Sequence, residues 1–299
     1  MIKSEAKATK SETESMTSFL KRFLSQVKNL RMMKNNISKA AVFAIAHFSS
    51  LIYNFPMYYG IDYTYMIFVI PALLLSLWAS VAVKSRFAKY DRIPTKKGVT
   101  GAQAAAILLR ANGITDVKIA RIGGHLTDNY NPSTKVLSLS DATYSSTSIA
   151  AVGVAAHETG HAIQHNVGYF PLAFRRALVP VANLGSRLGP LLVLAGIGFG
   201  YSAQAQKYLP MMQLITDIGL LLFAGATLFY LVTLPVEFNA SWRALKILKG
   251  AGVFVDKKEL AGARSVLWAA AMTYVASALS AIGSFIRILL IANRGRRRD

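Results

Sequence analysis

The apolar residues of this chain are concentrated in long runs of the kind that form membrane-spanning helices. Residues 63–83 form the first run, residues 188–202 and 215–236 form the next two, and residues 266–291 form the last. A helix needs about 20 consecutive apolar residues to cross a bilayer. The last run is followed by four arginines within residues 294–298, which a full crossing would place outside, against the positive-inside rule. Serine and glycine residues and Arg287 also interrupt it, so the pattern leaves open whether it re-enters, lies at the interface, or crosses fully as a local exception to that rule. The sequence therefore predicts three to four transmembrane helices.

Between the first and second apolar runs, shorter patterns predict a small α+β region. Residues 100–112 have helical periodicity and end before Gly113, which suits a helix C-terminus. A short strand is predicted at residues 117–122. Residues 135–140 alternate apolar and polar positions, which predicts a second strand at a sheet edge. Residues 123–132 are rich in turn-forming residues and are predicted to be a loop.

An alanine-rich, proline-free stretch, residues 146–165, predicts a buried helix with the motif H-E-x-x-H. His157 and His161 are four residues apart and lie on one helix face, so both imidazoles can bind one metal ion. Glu158 is one position round the helix from His157 and can act as a general base without being a ligand. Two His and a Glu on a buried helix are costly unless paired or metal-bound, which favours a metal site over a structural polar cluster.

Two further histidines are weaker candidates for the site. His165 continues the four-residue spacing, but it lies about 12 Å along the helix axis from His157, too far for one zinc ion to bind both. We expect it to support the site or to be a polar residue at the helix end, with substrate contact as the alternative. His125, in the predicted loop, is either a catalytic residue or an ordinary surface residue.

The third metal ligand must come from another segment of the chain. Glu237 is the best candidate, because it ends a long apolar run and opens a polar helix. A carboxylate that stabilises the start of a helix through the macrodipole is the alternative explanation.

With these residues, the chain resembles the YugP-like membrane zinc metallopeptidases, which are relatives of the HtpX and Ste24 gluzincins. The resemblance extends from about Phe55 to the C-terminus. It rests on residues 60–65, 151–165 and 235–245.

The resemblance implies an α-helical membrane protein with a small α+β, zincin-like (minigluzincin) catalytic region. It implies one Zn²⁺ per chain, held by His157, His161 and Glu237, with Glu158 as the catalytic residue. One position departs from the wider gluzincin pattern Glu-x-x-x-Asp, because Ser241 stands four residues after the glutamate. The usual carboxylate that supports the metal site is therefore missing.

The resemblance also implies how a substrate is held. In the relatives, an edge strand beside the zinc helix binds an extended peptide by strand addition, a role that the strand at residues 135–140 is expected to take. The resemblance suggests a histidine where Asn129 stands. A donor to the developing oxyanion is also needed, and its candidates are Tyr130, His165, Arg243 and Tyr274.

Composition and charge agree with a membrane protein. Hydrophobic residues make up 53% of the chain, the mean hydropathy is +0.37, and the absence of cysteine excludes disulfide and thiol chemistry. The net charge is +20, but the basic residues flank apolar segments. We therefore expect anionic lipid headgroups as the partner and not nucleic acid. The Lys/Arg residues of 84–97 and 237–264 predict that the motif and Glu237 face the cytoplasm.

The predicted function is a zinc-dependent metalloendopeptidase, a hydrolase that acts on peptides or membrane proteins in a bacterial plasma membrane. The alternative is a catalytically silent scaffold or regulator with a structural zinc site. Retention of Glu158 beside only three protein ligands favours catalysis. The predicted segments are an N-terminal extension, partly disordered and with a basic amphipathic helix (1–56), the first transmembrane helix (57–83), the cytoplasmic zincin-like region (84–183), a transmembrane hairpin (184–236), the third-ligand helix and a cytoplasmic stretch (237–265), and an apolar segment with a basic tail (266–299).

Overall fold

Seven α-helices, one π-helical turn and a three-stranded sheet make up the part of the chain that the computed structural model describes, residues 64–200 and 208–296. The predicted basic amphipathic helix of the N-terminal extension lies outside these residues. The strands are β1 (Lys118–Ile122), β2 (Asn129–Asn131) and β3 (Val136–Ser140). The helices are α1 (Ile70–Asp91, preceded by the π-helical turn Tyr65–Val69), α2 (Gly101–Ala111), α3 (Asp141–Tyr144), α4 (Ile149–Asn166), α5 (Phe170–Gly200), α6 (Leu209–Gly250) and α7 (Lys257–Arg296).

Four of these helices are long and apolar enough to cross a membrane, judged by length and composition. They are α1 with its π-helical turn, α5, α6 and α7. The count is the upper limit of the predicted three to four. The last apolar run, residues 266–291, lies entirely within α7, so it contains no re-entrant turn.

The long helices extend further than the apolar runs predicted. Residues 188–202 were expected to begin the second span, but α5 already begins at Phe170 and continues through Pro180 and Pro190. The third apolar run begins at residue 215, yet α6 already begins at Leu209. The difference arises because polar and proline-containing turns remain helical where a neighbouring helix packs against them.

Helices α5 and α6 pack with their backbones in close contact. A Cβ atom on Gly219 would lie 2.7 Å from the carbonyl oxygen of Gly189, and one on Gly185 would overlap the carbonyl oxygen of Leu222. Small residues allow this close approach between membrane helices. The contact fixes α6 against α5 along most of the length of α5.

The sheet has the strand order β1-β3-β2, with β1 parallel and β2 antiparallel to β3. The prediction that residues 135–140 form an edge strand is therefore wrong, because β3 is the middle strand. Part of the predicted loop folds back as β2 and becomes an edge. Asp128 fixes this return, since its carboxylate accepts hydrogen bonds from the Ser140 backbone N–H at 2.8 Å and hydroxyl at 2.9 Å.

Helix α4 lies at the centre of the described structure, between the sheet, α2 and α6. Its start is capped by Ser148, whose hydroxyl accepts a hydrogen bond from the Ala151 N–H at 3.1 Å. Most of its residues are buried, as the apolar pattern predicted. Alanine residues of α4 and α6 meet apolar side chains of α2 in one core cluster, which includes Leu108, Ala156, Ala244 and Leu248.

Candidate metal centre

A close helix crossing brings the H-E-x-x-H motif to Glu237. Gly160 of α4 faces Ala240 of α6, and a Cβ atom on Gly160 would lie 2.5 Å from the Ala240 carbonyl oxygen. Only glycine permits this distance without a shift of one helix. The glycine of the motif therefore allows both histidines to reach α6.

Three potential ligand atoms converge at this crossing. The Nε2 atom of His157 lies 3.3 Å from Oε2 of Glu237, and the Nε2 atom of His161 lies 3.6 Å from the same oxygen. All three atoms lie within 4.8 Å of one another. The structure thus brings together the three residues that the sequence singled out as ligands.

The position of Glu237 in its helix differs from the prediction. The glutamate does not open a polar helix but lies in the interior of α6, which continues unbroken through Pro235. The change from apolar to polar composition marks the end of the apolar run and not the start of a helix. Stabilisation by a helix N-terminus therefore does not explain a carboxylate here, where Glu237 is only 2% exposed.

Each histidine is oriented through its other ring nitrogen. The Nδ1 atom of His157 lies 3.1 Å from the hydroxyl oxygen of Ser241, and Nδ1 of His161 lies 3.0 Å from Oε1 of Gln164. Such contacts fix the ring plane and the tautomer of a metal-binding histidine. Ser241, which stands where the gluzincin pattern has a carboxylate, thus supports His157 with a neutral hydroxyl group.

The contacts of Gln164 determine the tautomer of His161. The Nε2 atom of Gln164 donates to the Val236 carbonyl oxygen at 2.8 Å and lies 2.9 Å from Oδ1 of Asn239. The amide oxygen of Gln164 consequently faces His161, and Nδ1 of that histidine must carry the proton. In the neutral form of this imidazole, its Nε2 atom directs a lone pair towards Oε2 of Glu237.

Two acceptor atoms that face each other in a buried site require a proton or a metal cation between them. Oε2 of Glu237 is buried and has no hydrogen-bond partner among the described residues. Protonation of both imidazoles would place two positive rings with centroids 4.8 Å apart, which is costly away from water. Tetrahedral zinc, with bonds of about 2.0–2.1 Å, separates its ligand atoms by about 3.4 Å. The two distances to Oε2 of Glu237 therefore fit ligands of one zinc ion.

Arg175 is a contributor to the site that sequence reasoning missed. Its Nη1 atom lies 2.9 Å from Oε1 of Glu237, so Arg175 holds one carboxylate oxygen while the other faces the two histidines. Its pairing depends on how α5 packs against α6, and no local pattern reveals that.

Glu158 lies beside this cluster and is not one of its three ligand residues. Burial raises the pKa of its carboxyl to about 7. Asp128 and Glu237 also raise this pKa, whereas His157 and a hydrogen bond with the Tyr130 backbone lower it. A bound dication would lower this pKa. A carboxyl group that titrates near neutral pH suits general base catalysis. The contributions of Asp128 and Tyr130 also show that Glu158 faces the β2 side of α4.

The remaining histidines lie outside the ligand cluster. The Nδ1 atom of His165 lies 2.9 Å from the Tyr130 hydroxyl oxygen, so this histidine joins the last turn of α4 to β2. The ring of His125 packs edge-on against Phe87 with centroids 5.2 Å apart. Asn129, where the resemblance suggests a histidine, donates to the Thr127 carbonyl oxygen at 3.0 Å.

Of the four candidate oxyanion donors, Tyr274 is the one that lies within electrostatic range of both Glu237 and Glu158. Tyr130 and His165 contact each other. Arg243 donates from Nε to Oδ1 of Asn239 at 2.7 Å and so belongs to the network that orients His161. Electrostatic proximity to both carboxylates therefore favours Tyr274 among these candidates.

Comparison with known proteins agrees with this site. The sequence model of a family described as "Putative neutral zinc metallopeptidase" matches residues 65–293. The chain is 42% identical, over 232 residues, to "Putative membrane protease YugP" of Bacillus subtilis (strain 168), an alignment that covers 78% of this chain and 98% of that protein. No solved structure matches the chain significantly.

Proposed function

This chain belongs to the putative neutral zinc metallopeptidase family, as the resemblance in its sequence predicted, and on that premise we propose that it is a membrane-bound zinc metalloendopeptidase. The proposed substrates are membrane or membrane-proximal proteins, cleaved at the cytoplasmic face. The observation that carries the proposal is the buried Oε2 atom of Glu237. It has no hydrogen-bond partner among the described residues and faces the Nε2 atoms of His157 and His161, beside a carboxyl group suited to proton transfer.

In this proposal each residue has a separate chemical task. His157, His161 and Glu237 would hold one zinc ion, which supplies Lewis acidity that polarises the scissile carbonyl group and activates water. Glu158 takes a proton from the attacking water and delivers it to the leaving amine. The Tyr274 hydroxyl donates to the oxyanion that develops on the former carbonyl oxygen.

We also propose a zincin-like role for the sheet, with the substrate on β2. This strand, and not β3, is the edge on the Glu158 side of α4. An extended peptide that adds to β2 would pass next to Glu158. Strand addition relies on main-chain hydrogen bonds, so it accepts many sequences and leaves selection to side-chain pockets.

The cytoplasmic orientation rests on the distribution of basic residues. Lysine and arginine residues are numerous in the region between α1 and α5 and around the turn between α6 and α7. Both regions lie at the same end of the membrane spans as the candidate metal centre. The positive-inside rule places that end in the cytoplasm.

Metal content is the first test. We expect elemental analysis of the purified protein to find about one zinc per chain, the number that one three-ligand site holds. His157→Ala and Glu237→Ala should each lose most of the metal, whereas His165→Ala, a matched change on the same helix, should keep it. Full zinc retention in Glu237→Ala would remove that residue from the site.

Catalysis is the second test. Glu158→Gln keeps the size of the side chain and one acceptor oxygen but cannot take a proton. Cleavage of a membrane-protein mixture should fall by about 10²–10⁴-fold, the usual contribution of a general acid–base group, while zinc stays bound. The scaffold alternative becomes the better account if wild type and Glu158→Gln, both loaded with zinc, give identical results in every cleavage assay.

A further inference from the structure

An open groove of about 470 Å³ lies between α6 and α7, outside the ligand cluster. Its walls combine two kinds of side chain. Phe238, Trp242 and Trp268 supply aromatic surface, and Lys246, Lys249 and Arg264 supply positive charge. The volume is in the range of ligand-binding clefts.

The two kinds of side chain are separated along the groove. On α6, Phe238 and Trp242 come before Lys246 and Lys249. A helix rises about 1.5 Å per residue, so the two lysines lie about 12 Å and about 16 Å beyond Phe238. On α7 the order is reversed, with Arg264 before Trp268, and the two helices run in opposite directions from the turn at residues 251–256. Lys249 and Arg264 therefore lie towards one end of the groove and Phe238 and Trp268 towards the other, where their ring centroids are 6.3 Å apart. Lys246 lies between them, with its Nζ atom 5.1 Å from the centroid of the Trp242 ring.

The cations of the groove are not neutralised within the described structure. None of the ion pairs among the described residues includes Lys246, Lys249 or Arg264. The two acids nearby are already occupied. Asp256 pairs with a lysine at 2.9 Å, and the carboxylate of Glu259 accepts three backbone N–H groups. An anionic group on a ligand would neutralise the positive charge of Lys246, Lys249 and Arg264.

The groove also lies where lipid headgroups are expected. Both of its helices are candidate membrane spans, and it lies at the basic end of each. Trp242 and Trp268 are 58% and 57% exposed. Exposed tryptophan at the end of an apolar helix is typical of the membrane interface.

We propose that this groove binds one anionic phospholipid. The phosphate contacts Lys246, Lys249 and Arg264, and the beginning of an acyl chain lies against the aromatic residues. A ligand with only a phosphate would leave the aromatic half unfilled, and a neutral lipid would leave the three cations unpaired. The proposal does not depend on peptidase activity.

Tryptophan fluorescence tests the site directly, because two of the three tryptophans of the chain line the groove. The Trp78→Phe variant removes the third. This variant is reconstituted in phosphatidylcholine bilayers with increasing fractions of brominated phosphatidylglycerol or, separately, brominated phosphatidylcholine. We expect quenching to show a preference of about fivefold or more for the anionic lipid, since one basic residue near the membrane surface strengthens binding to anionic lipid about fivefold.

Two charge variants in the Trp78→Phe background decide between a local site and general surface charge. Combined Lys246→Gln, Lys249→Gln and Arg264→Gln should remove the preference. The matched control combines Lys84→Gln, Arg110→Gln and Lys118→Gln, three changes at exposed positions outside the groove. This variant removes the same amount of charge and should keep the preference for the anionic lipid. If the triple groove variant does not fold, as circular dichroism would show, Arg264→Gln alone should still lower the preference.

The results that would overturn the proposal are distinct. Equal quenching by both brominated lipids means that no anionic lipid is selected. Equal loss in the groove variant and the control means that the effect is general electrostatics. Displacement of the lipid by excess inorganic phosphate would show a site for soluble phosphate, whereas the lipid site predicts no displacement.

Discussion

Ser241 contacts the His157 ring with a neutral hydroxyl group, and Gln164 contacts His161 with a neutral amide. Neither group withdraws a proton from the imidazole as a carboxylate does. Both nevertheless fix the ring so that Nε2 points at Glu237. The site therefore achieves the orientation of its ligands through two uncharged residues, one on each helix.

This role of Ser241 is testable by substitution. Ser241→Ala removes the contact with Nδ1 of His157, and loss of such a supporting contact typically weakens metal affinity about 10–100-fold. Competition with a zinc chelator measures the change. Ser241→Thr keeps the hydroxyl group and should restore most of the affinity. An unchanged affinity in Ser241→Ala would mean that the hydroxyl does not support the ring.

At the residue scale, the sequence predicted what depends on local spacing. His157, Glu158 and His161 share one helix, so the period of 3.6 residues is enough to place them. Arg175 was missed because its contact with Glu237 depends on the packing of two long helices. Gln164 carried a weak signal, since it is three residues after His161 on the same helix face.

At the scale of elements, composition misled the prediction in two places. The Asn-Tyr-Asn sequence of β2 has the composition of a turn, and it becomes a strand because Asp128 anchors the chain to Ser140 at the end of β3. The apolar run that ends near Pro235 continues as the same helix, because α6 packs against both α5 and α4. Tertiary contacts in both cases decide what local preference leaves open.

The crossing of α4 and α6 gives a prediction at this scale. Gly160→Ala places a methyl group 2.5 Å from the Ala240 carbonyl oxygen, so one helix must move. Overpacking of this kind costs about 1–3 kcal/mol, and zinc affinity should fall because the ligands separate. Denaturation and zinc titration measure both effects. Gly198→Ala is the control, since nothing lies within 4 Å of its added methyl group. If Gly160→Ala behaves like the control, α4 and α6 do not approach each other as closely at Gly160 as the structure shows.

At the scale of the whole molecule, four crossings have a consequence for topology. If all four candidate helices cross the membrane, the start of α6 and the end of α7 lie on one side of it, opposite the candidate metal centre. Single cysteines report this without background, because the chain has none. In intact cells, an impermeant thiol reagent should label Tyr208→Cys and Asn293→Cys but should label exposed Thr115→Cys only after permeabilisation. Direct labelling of Thr115→Cys would contradict the cytoplasmic orientation.

The assembly of the metal centre from α4 and α6 also has a consequence for biosynthesis. Glu237 follows His161 by 76 residues (237 − 161), and the whole of α5 and most of α6 lie between them. At a translation rate of about 5–20 residues per second, the glutamate leaves the ribosome roughly 4–15 s after the second histidine. The nascent chain therefore acquires its third ligand only when the hairpin of α5 and α6 enters the bilayer. Under the proposed function, membrane insertion of α5 and α6 would complete the active site, and a chain that fails to insert would lack the third ligand.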